Sequence, residues 1–215
     1  MTAGALTELV ATVLAAAAVG APAAAERPPV KWDAIPYGTA RRSDMRAYAR
    51  RHYGIDSYRL SQPKVIVQHM TEGSSYSSAW GIFAPNVRDG ELGELPGVCS
   101  HFIIDPGGRI HQLVPLSLMC RHTVGLNYTS IGIEHVGFSE AGVMASTRMR
   151  QASLRLTNWL RCRYDIALSN VIGHNENLRS PYHRERVGRL RTQTHSDWPT
   201  AKMRPYRAAL RKLTC

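Results

Sequence analysis

Past its first 25 residues the chain has no run of eighteen or more strongly apolar residues, which argues against an internal membrane span. There is no HExxH, so the helix-borne zinc-protease pattern is absent. No internal repeat and no nucleic-acid-binding motif occurs, and the basic residues are spread along the chain rather than gathered into one recognition helix. Acidic residues are scarce: 16 Asp and Glu stand against 27 Lys and Arg, a net charge of +11. Such an excess draws a protein to polyanions, either nucleic acid or a cell wall carrying anionic polymers. Cysteine is also scarce, and the four present, Cys99, Cys120, Cys162 and Cys215, are not spaced as a zinc ribbon.

What is present fits one domain. A chain of 215 residues, 44% hydrophobic and 20% charged, can bury a real core and has ordinary globular composition. Residues 1–25 differ: a continuous apolar or small run over 9–19 is followed by Ala23-Ala24-Ala25, as in a secretory signal. The segment before the run carries Glu8 and no Lys or Arg, which departs from that pattern. Loss of 1–25 leaves 27 basic against 15 acidic residues, +12. Export favours wall polymers over nucleic acid as the anionic partner. It also makes two disulfides reasonable. Of the three pairings, Cys99–Cys120 would tie a hairpin to the segment after it, and Cys162–Cys215 would pin the C-terminus to a long helix; four reduced thiols is the alternative.

Residues 26–32 are proline-rich and read as an extended arm. Met45, Tyr48 and Ala49 fall at helical spacing within 41–52, with Gly54 as the stop. Val65-Ile66-Val67 forms a short apolar strand ending at His69, before the turn residues Gly73-Ser74-Ser75. A short helix is predicted over 74–83, its Tyr76, Trp80 and Phe83 on one core-facing side. Residues 98–105 and 109–114 flank Pro106-Gly107-Gly108 as a hairpin. Residues 130–136 read as a strand, 145–163 as a long amphipathic helix, and 170–173 as a last strand ending at His174. The polar, basic stretch 175–191 reads as a loop, and 201–213 as a closing helix with Pro205 near its first turn. Strands and helices are mixed, which predicts a single α/β domain with a central mixed β-sheet flanked by helices.

Two strand-end histidines, His69 and His174, are rigidly placed for ligation or proton transfer. With one carboxylate they would meet the count of a three-ligand zinc site that keeps a position for water. Nothing in their spacing requires this, and a histidine that only caps its strand is the alternative.

The order of the segments adds more. Residues 65–73 (VIVQHMTEG), the hairpin SHFIIDPGGRIHQLVP, RHTVGLNYTSIGIEHVG, and VIGHNENL followed by THSDWP resemble, in that order, the zinc-dependent N-acetylmuramoyl-L-alanine amidases of the amidase_2 type. These share their fold with the peptidoglycan recognition proteins. The resemblance covers 63–199; with the signal-like region 1–25 and the arm and helix over 26–62, it predicts a catalytic domain over 63–215. It implies that His69, His174 and Asp197 hold Zn2+ and that Glu134 is the catalytic carboxylate. His195 stands where related enzymes carry a lysine that supports the reacting oxyanion. His122, just before the catalytic strand, falls in the cleft and is assigned to substrate binding, with a histidine that backs a ligand or sits on the surface as the alternative. His101, His111 and His135 read as structural, and Glu176 as a cap or orienting group.

Three departures stand out. The loop between His174 and Asp197 is longer than in compact relatives, which makes Asp197 the least secure ligand. Ser100 replaces a tyrosine found in several relatives. A histidine at 195 is a pH-sensitive donor where lysine is not. The implied activity is hydrolysis of the bond between N-acetylmuramic acid and L-alanine in peptidoglycan, by a secreted or envelope-associated monomer with no stable membrane span. A non-catalytic muropeptide-binding module is the rival reading. It predicts loss of a ligand or of the glutamate, and all of these are present. Arg184, Arg186 and Arg189 are candidate contacts for wall polymers, with a solvated loop as their default.

Overall fold

The computed structural model describes Met1 and residues 25–215. The secretory-signal reading at 1–25 therefore falls almost wholly outside the described residues. Among them, no helix is long and apolar enough to cross a membrane.

Six strands form one mixed sheet: β1 (Val30–Trp32), β2 (Val65–Met70), β3 (Phe102–Ile104), β4 (Ile110–Gln112), β5 (Ser130–His135) and β6 (Val171–Gly173). Their order is β1-β4-β3-β5-β2-β6, and only the β3–β4 hairpin is antiparallel. The segment Val30–Trp32 is the outer strand, paired in parallel with β4, so the proline-rich arm enters the sheet. Strands β2 and β5 are central and pair with each other along all six residues. Their side chains are buried on both faces, as continuous apolar runs in parallel strands require.

Among the described residues, five α-helices accompany the sheet: α1 (Thr39–Tyr53), α2 (Tyr76–Phe83), α3 (Glu140–Ala145), α4 (Thr147–Arg163) and α5 (Thr200–Leu210). α1 ends at Gly54, whose φ of 68° is the left-handed cap that glycine takes without a Cβ penalty. α2 is capped by Ser75, whose hydroxyl accepts the Ser78 amide, and it buries Ala79 and Phe83 while Tyr76 and Trp80 pack around them. The long helix expected over 145–163 is observed as α4, which begins at Thr147 after its cap Ser146. The Ser146 hydroxyl accepts the Met149 amide, and a separate short helix, α3, precedes α4. Pro205 lies in the second turn of α5, not the first. The bond it forgoes is to the carbonyl of Ala201 on the exposed side, where water can serve instead. The polar loop after β6 opens with a 3-10 turn over His174–Arg179.

The sheet alternation separates two tasks. Ile66, Ile131 and Ile133 join Leu156 and Leu160 of α4 and Met203 and Tyr206 of α5 in the main core. Gln68 lies on this side and donates to Thr157 of α4 at 3.2 Å. The other side carries Val65 and Val67, packed with Leu126 and Ile172. His69 follows on that same side. Disulfides join Cys99 to Cys120 and Cys162 to Cys215, the latter holding the C-terminus to the end of α4.

Candidate metal centre and cleft

Parallel pairing of β2 with β5 sets His69 directly beside Glu134. β6, on the other side of β2, ends at Gly173, so His174 leaves the sheet next to the same strand end. Asp197 arrives from the distant loop. These three, His69, His174 and Asp197, are all buried and bring donor atoms within 4.8 Å of one another. His69 Nδ1 lies 3.1 Å from His174 Nδ1. The Asp197 carboxylate spans both, with Oδ2 3.6 Å from His69 Nδ1 and Oδ1 3.3 Å from His174 Nδ1.

This donor set fits zinc. Tetrahedral bonds of about 2.0–2.1 Å put neighbouring ligand atoms about 3.3 Å apart, which the three separations of 3.1, 3.3 and 3.6 Å bracket. Two imidazole nitrogens and one carboxylate oxygen are also the ligand types of catalytic zinc sites, which leave one position open.

Glu134 points into the same cleft, a space of about 260 Å3 that the three donors also line. Its Oε2 is buried without a hydrogen-bond partner among the described residues. Burial pushes its carboxyl well above the usual range, and the nearby Asp197 and Glu72 carboxylates push the same way. Burial likewise holds His69 well below the ordinary imidazole value, helped by His174, His122, His195 and His135 around it. A neutral imidazole is the ligating form.

The backbone of His69 is fixed from the core side. Its carbonyl accepts from His135 Nδ1 at 2.8 Å and from Trp198 Nε1 at 3.1 Å. His135 then takes the Ser153 hydroxyl of α4 at 2.7 Å through Nε2. Its ring faces away from the Glu134 side, as alternation predicts. The Asp197 loop is held as firmly: the Asn175 amide donates to the Asp197 carbonyl at 2.9 Å, and the Trp198 amide to Glu140 at 2.7 Å.

His195 stacks on His174, with ring centres 4.6 Å apart, and lines the cleft mouth. Its Nε2 meets Glu91 Oε2 at 3.2 Å. His122 lines the same cleft and is half-buried, its Nδ1 3.0 Å from His69 Nε2. Glu176 accepts the Gly173 amide at 3.2 Å and pairs with both Arg207 amino groups, at 2.7 and 3.0 Å. His101 joins the Leu118 carbonyl to the Gly132 amide, inside the fold. Arg189 is paired with Glu94 at 3.0 Å.

Sequence reasoning did not single out Trp198, Glu72 or Glu91 for the site. Trp198 has a signal in retrospect, since it follows Asp197 directly in THSDWP. Glu91 comes from an aperiodic loop, and only the folded chain brings it to His195.

A mixed α/β sheet presenting two histidines and an aspartate beside a buried glutamate forms a group that could hold a metal ion. The family model for N-acetylmuramoyl-L-alanine amidases (Amidase_2) matches residues 59–204, and the chain belongs to that family. Hydrolysis of an amide in peptidoglycan is the chemistry that membership brings. Among solved structures, the fold is shared with a mutant endolysin from Bacillus subtilis, at 19% identity over 85% of this chain and 98% of that one, TM-score 0.52. It is shared also with a selenomethionine derivative of AmpD, at 19% identity over 82% and 93% of the two chains, TM-score 0.50. No curated protein sequence matches the chain.

Proposed function

We propose that the protein is a zinc-dependent N-acetylmuramoyl-L-alanine amidase that cleaves the lactyl–L-alanine amide of peptidoglycan. The observation that carries this reading is the β2–β5 register, which sets an unpartnered, buried Glu134 beside His69 in one cleft with His174 and Asp197. A binding module would have no use for so costly a carboxyl.

His69, His174 and Asp197 would hold the zinc ion. When bound, zinc supplies Lewis-acid polarisation of the scissile carbonyl and acidifies the attacking water. Glu134 takes the proton from that water and delivers it to the leaving amine, a role suited to a carboxyl whose pKa is raised by burial. His195, beside His174 at the cleft mouth, donates to the developing oxyanion, a contribution of about 3 kcal/mol in comparable sites. Glu91 holds the His195 ring through Nε2 until substrate arrives. We also assign the chain to the cell envelope or exterior, supported by its two disulfides. Its net charge of +11 suits association with anionic wall polymers.

The test is metal content together with new N-terminal alanine from purified peptidoglycan. One zinc per chain with alanine release is expected. Zinc without release would leave the muropeptide-binding module as the better reading.

A further inference from the structure

We propose that His122 is a positioning residue for the metal centre. Its ring accepts the Nε2–H of His69 and so turns the His69 Nδ1 lone pair toward His174 and Asp197. Residue 132 is glycine because the His122 ring fills the space a side chain there would need. The inference rests on the metal-site reading above.

A neutral imidazole carries one proton, on either nitrogen. His69 can ligate through Nδ1 only if that proton sits on Nε2. The contacts behind it set this tautomer. His69 Nε2 is 3.0 Å from His122 Nδ1, and His122 Nε2 is 3.2 Å from Ser130 Oγ. Ser130 Oγ lies 2.8 Å from the Leu126 carbonyl. A carbonyl oxygen only accepts, so the Ser130 hydroxyl donates to it and its oxygen accepts the Nε2–H of His122. His122 Nδ1 then has no proton and accepts from His69. One backbone carbonyl thus fixes the direction of the whole chain of hydrogen bonds.

Local structure is arranged around this ring. The amides of His122 and Thr123 both donate to Asn127 Oδ1, at 2.8 and 2.7 Å, which curls the segment and presents the imidazole to His69. Thr123 Oγ1 lies beside the same contact, 2.9 Å from His122 Nδ1 and 3.3 Å from His69 Nε2. A Cβ on Gly132 would stand 2.8 Å from the His122 Cγ and 2.9 Å from Cδ2 and Nδ1. The nearest obstacles to that Cβ all belong to this one ring. Both ring nitrogens are engaged within the protein, and the ring also forms part of the cleft lining.

Outer partners of ligating histidines commonly contribute 10–100-fold in metal affinity. Zinc dissociation constants from chelator competition, read beside KM at saturating zinc and the melting temperature of the metal-free protein, test the assignment. His122→Ala is expected to weaken zinc by about 10–100-fold while KM stays within about twofold. His122→Asn, whose Oδ1 takes the place of Nδ1, should recover most of the affinity. Gly132→Ala should reproduce the loss without touching a ligand, and should add nothing to His122→Ala in the double variant. Wild-type protein that binds zinc, alongside a His122→Ala variant that binds it equally but has a raised KM, would overturn this inference alone. Wild-type protein that takes up no zinc would overturn the metal-site reading and this inference with it.

Discussion

Gly173→Ala tests the reasoning about Asp197 most sharply, because it alters no ligand. A Cβ on Gly173 would lie 1.7 Å from the Trp198 carbonyl oxygen, 2.5 Å from Trp198 Cβ and 2.7 Å from Trp198 C. Ordinary contact begins near 3.4 Å. The Trp198 backbone must therefore retreat by roughly 1.5 Å, or β6 must move by as much, since close-packed interiors do not absorb such an overlap. Neither shift is cheap. Trp198 is fully buried, its indole donates to the His69 carbonyl at 3.1 Å, and its φ of 52° already lies in the left-handed region.

Asp197 is the preceding residue, and its carboxylate reaches the two histidines over only 3.3 and 3.6 Å. A displacement of roughly 1.5 Å in its neighbour breaks that arrangement, and misplacements near 1 Å cost about 100-fold in rate in other sites. The expected result is zinc affinity down at least about tenfold, activity down about 100-fold, and about 1–3 kcal/mol of overpacking lost from stability. Gly81→Ala is the control: nothing lies within 4 Å of its Cβ in α2, so it should keep zinc and gain up to about 1 kcal/mol. Zinc is measured by chelator competition, activity by amine release from purified wall, and stability by denaturant titration. A Gly173→Ala protein with wild-type zinc affinity and activity would show that Asp197 is not the third ligand, or that its loop is not held by this contact.

Glu134→Gln should keep zinc and abolish amine release. With metal chelated, it should also stabilise the fold at pH 7, because burial raises the carboxyl pKa and penalises the charged form; that gain should shrink as pH falls toward the ordinary glutamate value and be gone below it. His101 and His135 are buried, with pKa values lowered to about 4 by desolvation. The unfolded chain binds protons near 6.5 and the folded one does not, so stability is full above that pH and falls as acid is added. From pH 7 to pH 5 each costs about 2 kcal/mol; Glu134 titrates in the opposite sense, so the measurement is made on chelated Glu134→Gln protein, where equal stability at both pH values would count against the burial of the two histidines. Zinc at a thousandfold excess over its dissociation constant should add about 4 kcal/mol to unfolding, lost on chelation. Wall association should weaken as salt rises from 50 to 500 mM, whereas a salt-independent association would remove the role given to net charge.

Much of the fold was legible because the deciding signals are local. Gly54 ends α1 and Pro106-Gly107-Gly108 turns the hairpin through backbone preferences that need no partner. The short helix α3 was not legible: in Glu140–Ala145 only Val143 is buried, which is too little for an apolar period. The edge strand Val30–Trp32 has no strand signal in the sequence because three residues carry no usable period and their pairing partner, β4, lies some eighty positions away. In the site, the order of the segments brought His69, Glu134, His174 and Asp197 to notice together. The contacts that fix them were hidden, since Trp198 to His69, Glu91 to His195 and Asn175 to Asp197 are long-range pairings that no periodicity encodes.

The same alternation that builds the core also decides where chemistry sits. On β2 the residues Val65, Val67 and His69 share a face, and on β5 the facing set is Ser130, Gly132 and Glu134. Each strand is apolar or small on this face at its beginning and functional only at its end. The opposite face carries Ile66 and Gln68 of β2 and Ile131, Ile133 and His135 of β5. That face is committed to α4 and α5, and its last member, His135, pins the His69 carbonyl. A slip of one residue in the β2–β5 register would bury Val65 and Val67 against the wrong layer and turn His69 away from Glu134 in the same step. The apolar residues that hold the register are therefore what align ligand with base, and the core of this sheet and the geometry of its centre are specified by one set of side chains.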